Sequence, residues 1–166
     1  KIQTNSVQGG SLRFFCIKEH QAKIYSNVTK QLSAEKEIFQ NKNIDIWVSN
    51  IFKSIEGLKT KISEAMTKGV HIWGYGAPTK ATLITNMLGD YSNSIEFIID
   101  DNPLKENKYI PGTSIPIIKK SERPIFKKQL IICFAWNFFD DIYSMLKFEN
   151  IQGTLLNIQD GKEEKL

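Results

Sequence analysis

The spacing of apolar positions changes near the middle of the chain. From about Gln21 to Lys68 the pattern is helical, and Ile44, Trp47, Val48, Ile51, Phe52, Ile55, Leu58, Ile62 and Met66 recur at three- and four-residue steps. That spacing puts them on one face of a long amphipathic helix. Ser33, ahead of Ala34-Glu35-Lys36-Glu37, reads as an N-cap, and Gly69 suits the residue that closes the helix. Beyond Gly69 the apolar residues gather into short runs: 70–73, 95–99, 130–134 and 154–158, with a shorter extended piece at 114–118. Helical patterns at 79–87 and 138–148 alternate with them. The class predicted is α/β, a parallel sheet flanked by helices. Ahead of the helix, 2–7 and 12–17 flank the turn Gln8-Gly9-Gly10-Ser11 and predict a β-hairpin-like arm. The division expected is an arm over 1–20, a helical segment over 21–69, a sheet core over 70–160 and a disordered charged tail over 161–166. The strands after Gly69 suffice for the sheet, so the arm is expected to stand outside it.

Composition narrows the class. The 166 residues are 41% hydrophobic and 24% charged, which describes a folded chain rather than a disordered one. No apolar run nears the roughly 20 residues that span a bilayer, and no secretory signal pattern is visible. A start at Lys1 without Met is read as a processed or cut piece of a longer protein. The net charge of +4 comes from lysines spread beside glutamates through helical stretches, which reads as a solvated surface rather than a nucleic-acid face. The two cysteines, Cys16 and Cys133, lie far apart in apolar runs and are read as buried reduced thiols, the usage of a cytoplasmic protein. His20 and His71 lack companions at metal-ligand spacing and read as structural or surface residues.

Candidate chemistry concentrates at strand ends. Val70 to Trp73 runs into Gly74-Tyr75-Gly76-Ala77-Pro78-Thr79-Lys80 and then a helix. Glycines let backbone N–H groups approach an anion, a helix N-terminus adds partial positive charge, and Lys80 adds a full one. The other reading is a tight turn with no ligand. The next strand candidate ends in Asp100-Asp101-Asn102-Pro103, where a carboxylate can accept sugar hydroxyls or Asx residues can cap a turn. After 130–134, Trp136 can stack on a base or sugar and Asn137 can hydrogen-bond one, although Asn137 also suits the N-cap of the following helix. Gly9-Gly10-Ser11-Leu12-Arg13 marks a fourth point, open between a ligand contact and a plain hairpin. The fingerprint Gly-x-Gly-x-x-Gly is incomplete because Thr79 stands where its third glycine would be, and no P-loop or nucleophilic set is present.

Taken in order, these blocks carry a resemblance. Gly9-Gly10-Ser11-Leu12-Arg13, Gly74 to Lys80 with Asn86, Asp100-Asp101-Asn102-Pro103-Leu104-Lys105, Lys108 to Ile117, and Ala135-Trp136-Asn137-Phe138 resemble the C-terminal domain of S-adenosylmethionine-dependent nucleotide-sugar C-methyltransferases, over Gly9 to about Ile158. The resemblance implies a Rossmann-like domain that helps hold a nucleotide-diphosphate sugar, such as a dTDP-linked one. Substrate-binding candidates are then Gly10, Ser11, Arg13, Gly74, Tyr75, Gly76, Ala77, Lys80, Asp100, Asn102, Trp136 and Asn137. It also implies no catalytic residue and no cofactor or metal bound here, since S-adenosylmethionine and zinc belong to central and N-terminal parts absent from this sequence. Those parts are the partners implied, besides a possible homodimer. The arm would then pack on the central domain and bring Gly9, Gly10, Ser11 and Arg13 to the seam where the sugar sits. The chain departs from the family pattern at Gln8, where His is common, and at Ala81 and Thr82, where Gly-Asn is common. The sugar, and with it the pathway, is left open. Two further functions remain on the residues themselves: a stand-alone nucleotide- or NAD-binding regulatory module, and a lid or dimerisation unit using the long helix.

Overall fold

Two buried runs, 71–75 and 129–133, lie side by side as parallel strands in the middle of a seven-stranded sheet. The structure, a computed structural model, describes residues 1–7, 10–16, 18 and 25–166. In chain order its elements are β1 (Ile2–Asn5), β2 (Ser11–Phe14), α1 (Ser26–Ile38), α2 (Asn41–Thr67), β3 (His71–Tyr75), α3 (Thr79–Leu88), β4 (Ile98–Ile99), β5 (Lys108–Tyr109), β6 (Pro116–Ile118), β7 (Gln129–Cys133), α4 (Phe139–Phe148), β8 (Thr154–Asn157) and β9 (Glu163–Lys165). The chain divides into two units, Lys1–Ile51 and Phe52–Leu166.

The larger unit is the predicted α/β architecture. Its strand order is β5-β6-β4-β3-β7-β8-β9. The strands from β6 to β8 are parallel, while β5 and β9 close the two edges antiparallel. Successive side chains point to opposite faces of a strand. Ile72 and Ile132 therefore join Ile55, Leu58 and Ile62 of α2 and Ala81 and Leu88 of α3 on one face. Trp73, Ile131 and Cys133 join Phe139, Ile142 and Leu146 of α4 on the other. Both faces are covered, which is why the strands read as continuous apolar runs rather than alternating ones. Each fully buried aliphatic side chain stabilises the fold by roughly 1.5–3 kcal/mol, and Ile62, Ile98, Ile131, Ile132, Leu146 and Leu155 are all of that kind.

In the smaller unit β1 and β2 pair as an antiparallel hairpin, a two-stranded sheet of its own, as expected of the arm. The Asn27 side-chain amide donates to the carbonyl of Ile2, 2.5 Å away, and ties α1 to the hairpin. No residue of α1 is buried. Gly9, Ile17 and His20 lie outside the described residues.

Several expectations need correction. Ser33 does not start a helix: it lies inside α1, and its hydroxyl donates to the Thr29 carbonyl. The helical segment is two helices, because residues 39–40 break it. The single apolar face also divides. Ile55, Leu58 and Ile62 are buried, but Ile44, Trp47, Val48, Phe52 and Met66 are exposed. Helical periodicity identifies a face and not what covers it. Cys16 is exposed, whereas Cys133 is buried as expected. The charged tail is not disordered: β9 pairs along β8, and Lys61 bonds Glu163 at 2.6 Å. An edge strand needs backbone partners on one side only, so its side chains can all be charged.

The buried polar side chain of Gln129 explains how a polar residue enters the core. Its amide oxygen accepts from Trp73 Nε1 at 2.7 Å, and its amide nitrogen donates to the Gln152 carbonyl at 2.6 Å. Gln129→Leu leaves both partners unpaired and is expected to cost about 1–3 kcal/mol. Urea unfolding followed by tryptophan fluorescence checks it, an unchanged midpoint being the contrary result.

Candidate functional site

The sheet's connectivity marks one place as special. From β3 the chain moves outward through β4 to β6, then crosses back to β7 on the other side of β3 and continues to β8. The connection after β3 leads to α3 on one face, and that after β7 leads to α4 on the opposite face. This divergence is a topological switch point, and ligands of open α/β sheets bind beyond the carboxyl ends of the strands there.

The two glycines of the β3 turn serve that geometry. Gly74 lies within the strand, and a Cβ on it would stand 2.6 Å from Cε2 of Phe134. Its lack of a side chain makes room for a ring rather than for an anion. Gly76 has φ +84°, and a Cβ there would meet Ala135 Cβ at 2.6 Å. Phe134 and Ala135 in turn donate their N–H groups to the Tyr75 carbonyl at 2.9 and 3.4 Å. The connections after β3 and β7 thus leave the sheet in contact.

Asp100 fastens the next strand to the same turn. One carboxylate oxygen accepts from Ala77 N–H at 2.6 Å and from Lys105 Nζ at 2.9 Å, and the other accepts from Asn102 N–H at 2.9 Å. Lys105 also donates to the Ala77 carbonyl at 3.0 Å. Burial alone would raise the Asp100 pKa, but these hydrogen bonds and the Lys105 charge outweigh it and hold the carboxyl below its ordinary value. The carboxylate's partners are its own fold. Asn102 accepts from Leu104 N–H and caps a short 3-10 turn, which is the Asx role. Tyr75 points to the α4 face, where its hydroxyl donates to Asp101 at 2.8 Å. Burial first, and that hydrogen bond second, push its pKa well above the ordinary range.

Lys80 and Trp136, predicted as separate features, form one. The Lys80 ammonium lies 3.4 Å from the centroid of the indole ring, a cation–π contact across the switch point. Burial lowers the Lys80 pKa. Asn137 is exposed and caps no helix, since Phe138 precedes α4. Its side chain has no partner among the described residues.

Two cavities open near the carboxyl ends of the strands. One, about 600 Å³, is lined by Ala77, Pro78, Thr79, Leu83, Lys105, Lys108, Tyr109 and Pro111, among others. The second, about 360 Å³, lies beyond β7 and β8 and is lined by residues 136–141 together with Asn157, Asp160 and Lys162. Lys105, Lys108, Tyr109, Asn157 and Asp160 were not among the sequence candidates. Lys105, Lys108 and Tyr109 do stand inside quoted blocks. The signal for Asn157 was a polar residue at the end of a buried strand.

Gly10, Ser11 and Arg13 belong to the smaller unit and are described with it. Gly10 has φ +132°, Ser11 Oγ donates to the Val7 carbonyl, and Arg13 is an exposed residue of β2 paired with Gln3. Among the described residues no group of three or more His, Cys, Asp or Glu stands together as metal ligands, and no helix is long and apolar enough to cross a membrane.

Comparison with known proteins identifies the family. The sequence pattern of a family described as the C-methyltransferase C-terminal domain matches residues 6–157. The C-methyltransferase NovU of Streptomyces niveus is similar at 26% identity over 148 residues, covering 85% of this chain and 34% of that protein. The chain thus spans about a third of the length of the curated relative it matches.

The Asp100 carboxyl has a pH signature. A carboxyl whose folded pKa lies below its unfolded value, near 3.9, stabilises the fold above that value and loses the contribution as pH falls through the folded pKa. The expected result is declining stability below about pH 4, with a shallower decline and lower neutral-pH stability in Asp100→Asn. Urea midpoints measured from pH 2 to 7 check this, and parallel curves for the two proteins would remove the clamp.

Proposed function

The chain belongs to the family of C-methyltransferase C-terminal domains, and from that premise we propose that it is the nucleotide-sugar-binding domain of an S-adenosylmethionine-dependent sugar C-methyltransferase. The observation that carries the reading is the Lys80–Trp136 pair at the switch point, with Trp136 lining a cavity beyond β7 and β8. A cation and an aromatic ring at the mouth of an α/β sheet suit a ligand that joins phosphate to ring systems. The Lys80 ammonium rests on an indole rather than on a carboxylate, so it meets an arriving diphosphate without breaking an ion pair. The chain's role is to bind and orient, and the reading assigns no catalytic residue to it.

S-adenosylmethionine and zinc fall, on this reading, to the other parts of the protein. The turn after β3 supports that division for an adenosine cofactor: Gly74 and Gly76 are closed over by Phe134 and Ala135, and the Asp100 carboxylate is already held by three donors. No step of methyl transfer is assigned to residues of this chain.

The smaller unit supports a docking role beside the binding one, with the preceding part of the same polypeptide as the occupant. Helix α1 buries none of its residues, and Ile38, Phe39, Ile44 and Trp47 line an apolar groove of about 390 Å³. A helix of that length is marginal in water without tertiary packing, and the matched relative is about three times as long as the aligned share. Arg13, exposed on β2, is then available to the sugar or its phosphates at that contact.

Calorimetric titration with dTDP, UDP, NAD and S-adenosylmethionine tests the main reading. Binding of a nucleoside diphosphate is expected, weakened in Lys80→Ala by roughly 1–3 kcal/mol through loss of a charge-assisted contact. Micromolar binding of S-adenosylmethionine by this chain, or diphosphate affinity indifferent to Lys80, would overturn it.

A further inference from the structure

The hairpin of the smaller unit has two edges, and they differ. Lys1 and Phe15 face each other and exchange both bonds, Phe15 N–H to the Lys1 carbonyl at 2.8 Å and the Lys1 amine to the Phe15 carbonyl at 3.4 Å. Bonded and unbonded pairs alternate along an antiparallel ladder. Gln3–Arg13 and Asn5–Ser11 are therefore bonded pairs, while Ile2–Phe14 and Thr4–Leu12 turn their N–H and C=O groups outward. On β1 the outward side faces α1. The Ile2 carbonyl accepts from the Asn27 amide, and Asn27, Lys30, Gln31 and Ala34 line a cavity together with Ile2 and Thr4. On β2 the outward groups are those of Leu12 and Phe14, and they have no hydrogen-bond partner among the described residues.

The side chains around this open edge are mostly apolar. Leu12 and Phe14 share a face of the ribbon with Ile2. Phe14 leaves 67% of its surface exposed, and Phe15 and Cys16 after it are exposed as well. An edge of that composition templates another strand unless charge, proline or a bulge blunts it. Ser11–Phe14 holds no lysine and no proline, and Arg13, its one charge, stands on the opposite face beside Gln3. A ribbon of two strands is also marginal in water and gains stability from a third.

A second copy of the chain fits the edge poorly. Two β2 strands paired antiparallel through Leu12 and Phe14 set the two Arg13 side chains directly opposite each other, and like charges so placed are destabilising. Other chain is at hand: the family's domain is C-terminal, and this chain covers 34% of the matched relative.

We propose that the β2 edge is completed by strand addition: the preceding part of the same polypeptide offers the open edge of a sheet, and the hairpin extends that sheet through the backbone of Leu12 and Phe14. The proposal rests on the docking reading of the smaller unit and adds its mode.

Hydrogen exchange read by mass spectrometry, with fragmentation that resolves single amides, tests it on the whole 166-residue chain and on the longer family polypeptide that contains it. In the 166-residue chain the Leu12 and Phe14 amides are expected to exchange as fast as unpaired ones, while Arg13, bonded to Gln3, lags. In the longer polypeptide both are expected to slow by about a hundredfold, as ladder amides do. Leu12→Pro removes an outward N–H and leaves the bonded pairs intact. It is expected to keep the unfolding temperature of the 166-residue chain and to speed exchange at Phe14 in the longer polypeptide by about tenfold. A Phe14 amide still fully protected in that variant overturns the strand. If Leu12 and Phe14 exchange equally fast in both polypeptides while α1 or the groove at Ile38 and Trp47 gains protection, strand addition is wrong and the docking reading stands. If no part of residues 1–51 gains protection, the docking reading falls with it. If the two amides are already slow in the 166-residue chain, slower at higher concentration, and light scattering gives a doubled mass, a second copy is the occupant and the proposal fails.

Discussion

β3 and β7 leave the sheet so close together that no side chain fits between their ends. The Tyr75 carbonyl accepts from both Phe134 and Ala135, and Gly76 meets Ala135 where a Cβ would overlap at 2.6 Å. Overlaps of that kind shift backbone and cost about 1–3 kcal/mol even where the surroundings give. Because the following helices depart to opposite faces, this contact fixes where α3 begins and where residues 136–138 turn. It therefore fixes the distance between Lys80 and Trp136. The site's geometry is a consequence of strand packing, and the glycines that looked like phosphate ligands act one step earlier by letting the strands meet.

A second constraint is the Asp100 clamp. Ala77, on the turn after β3, is bound through both its N–H and its carbonyl, by Asp100 and by Lys105. Charge-assisted bonds that are largely shielded are worth roughly twice neutral ones, and here they join the ends of adjacent strands. A carboxylate engaged this way is a poor reader of sugar hydroxyls, since each new donor must displace one already held.

Much of this was legible in the sequence because burial on both faces writes itself as contiguous apolar runs. The strands at 70–73 and 130–134, the helices after them and the edge position of the candidate residues all followed from that. Boundaries slipped where hydrogen bonding, not hydropathy, decides them: β4 spans only Ile98–Ile99, although the apolar run begins at Ile95. Ser33 misled because a serine inside a helix can bond back to the preceding turn as readily as it caps. The tail misled because edge strands tolerate charge. Gly74 was legible as a constrained position but not as one constrained by Phe134, a residue about sixty positions away. Lys80 and Trp136 were each legible alone, and their pairing needed the third dimension. Asn157 and Asp160 lay outside every quoted block.

Under the proposed function, a domain that binds the substrate also shapes the rate of a reaction carried out in another part of the protein. Interactions with parts of a substrate that do not react contribute to catalysis when they fix the reacting carbon in place, because orientation entropy is lost before the chemical step. That requires a rigid grip, and rigidity is what the sheet edge has. Its turns are fastened by Asp100, Lys105 and the β3–β7 contact, and the Asn157 amide is held through its backbone and side chain alike. The smaller unit has the opposite character: a two-stranded hairpin and a helix with no buried residue. Hairpins of two strands and short helices gain most of their stability from what packs on them. The larger unit's order is thus its own, and the smaller unit's order is the part that a partner surface would complete.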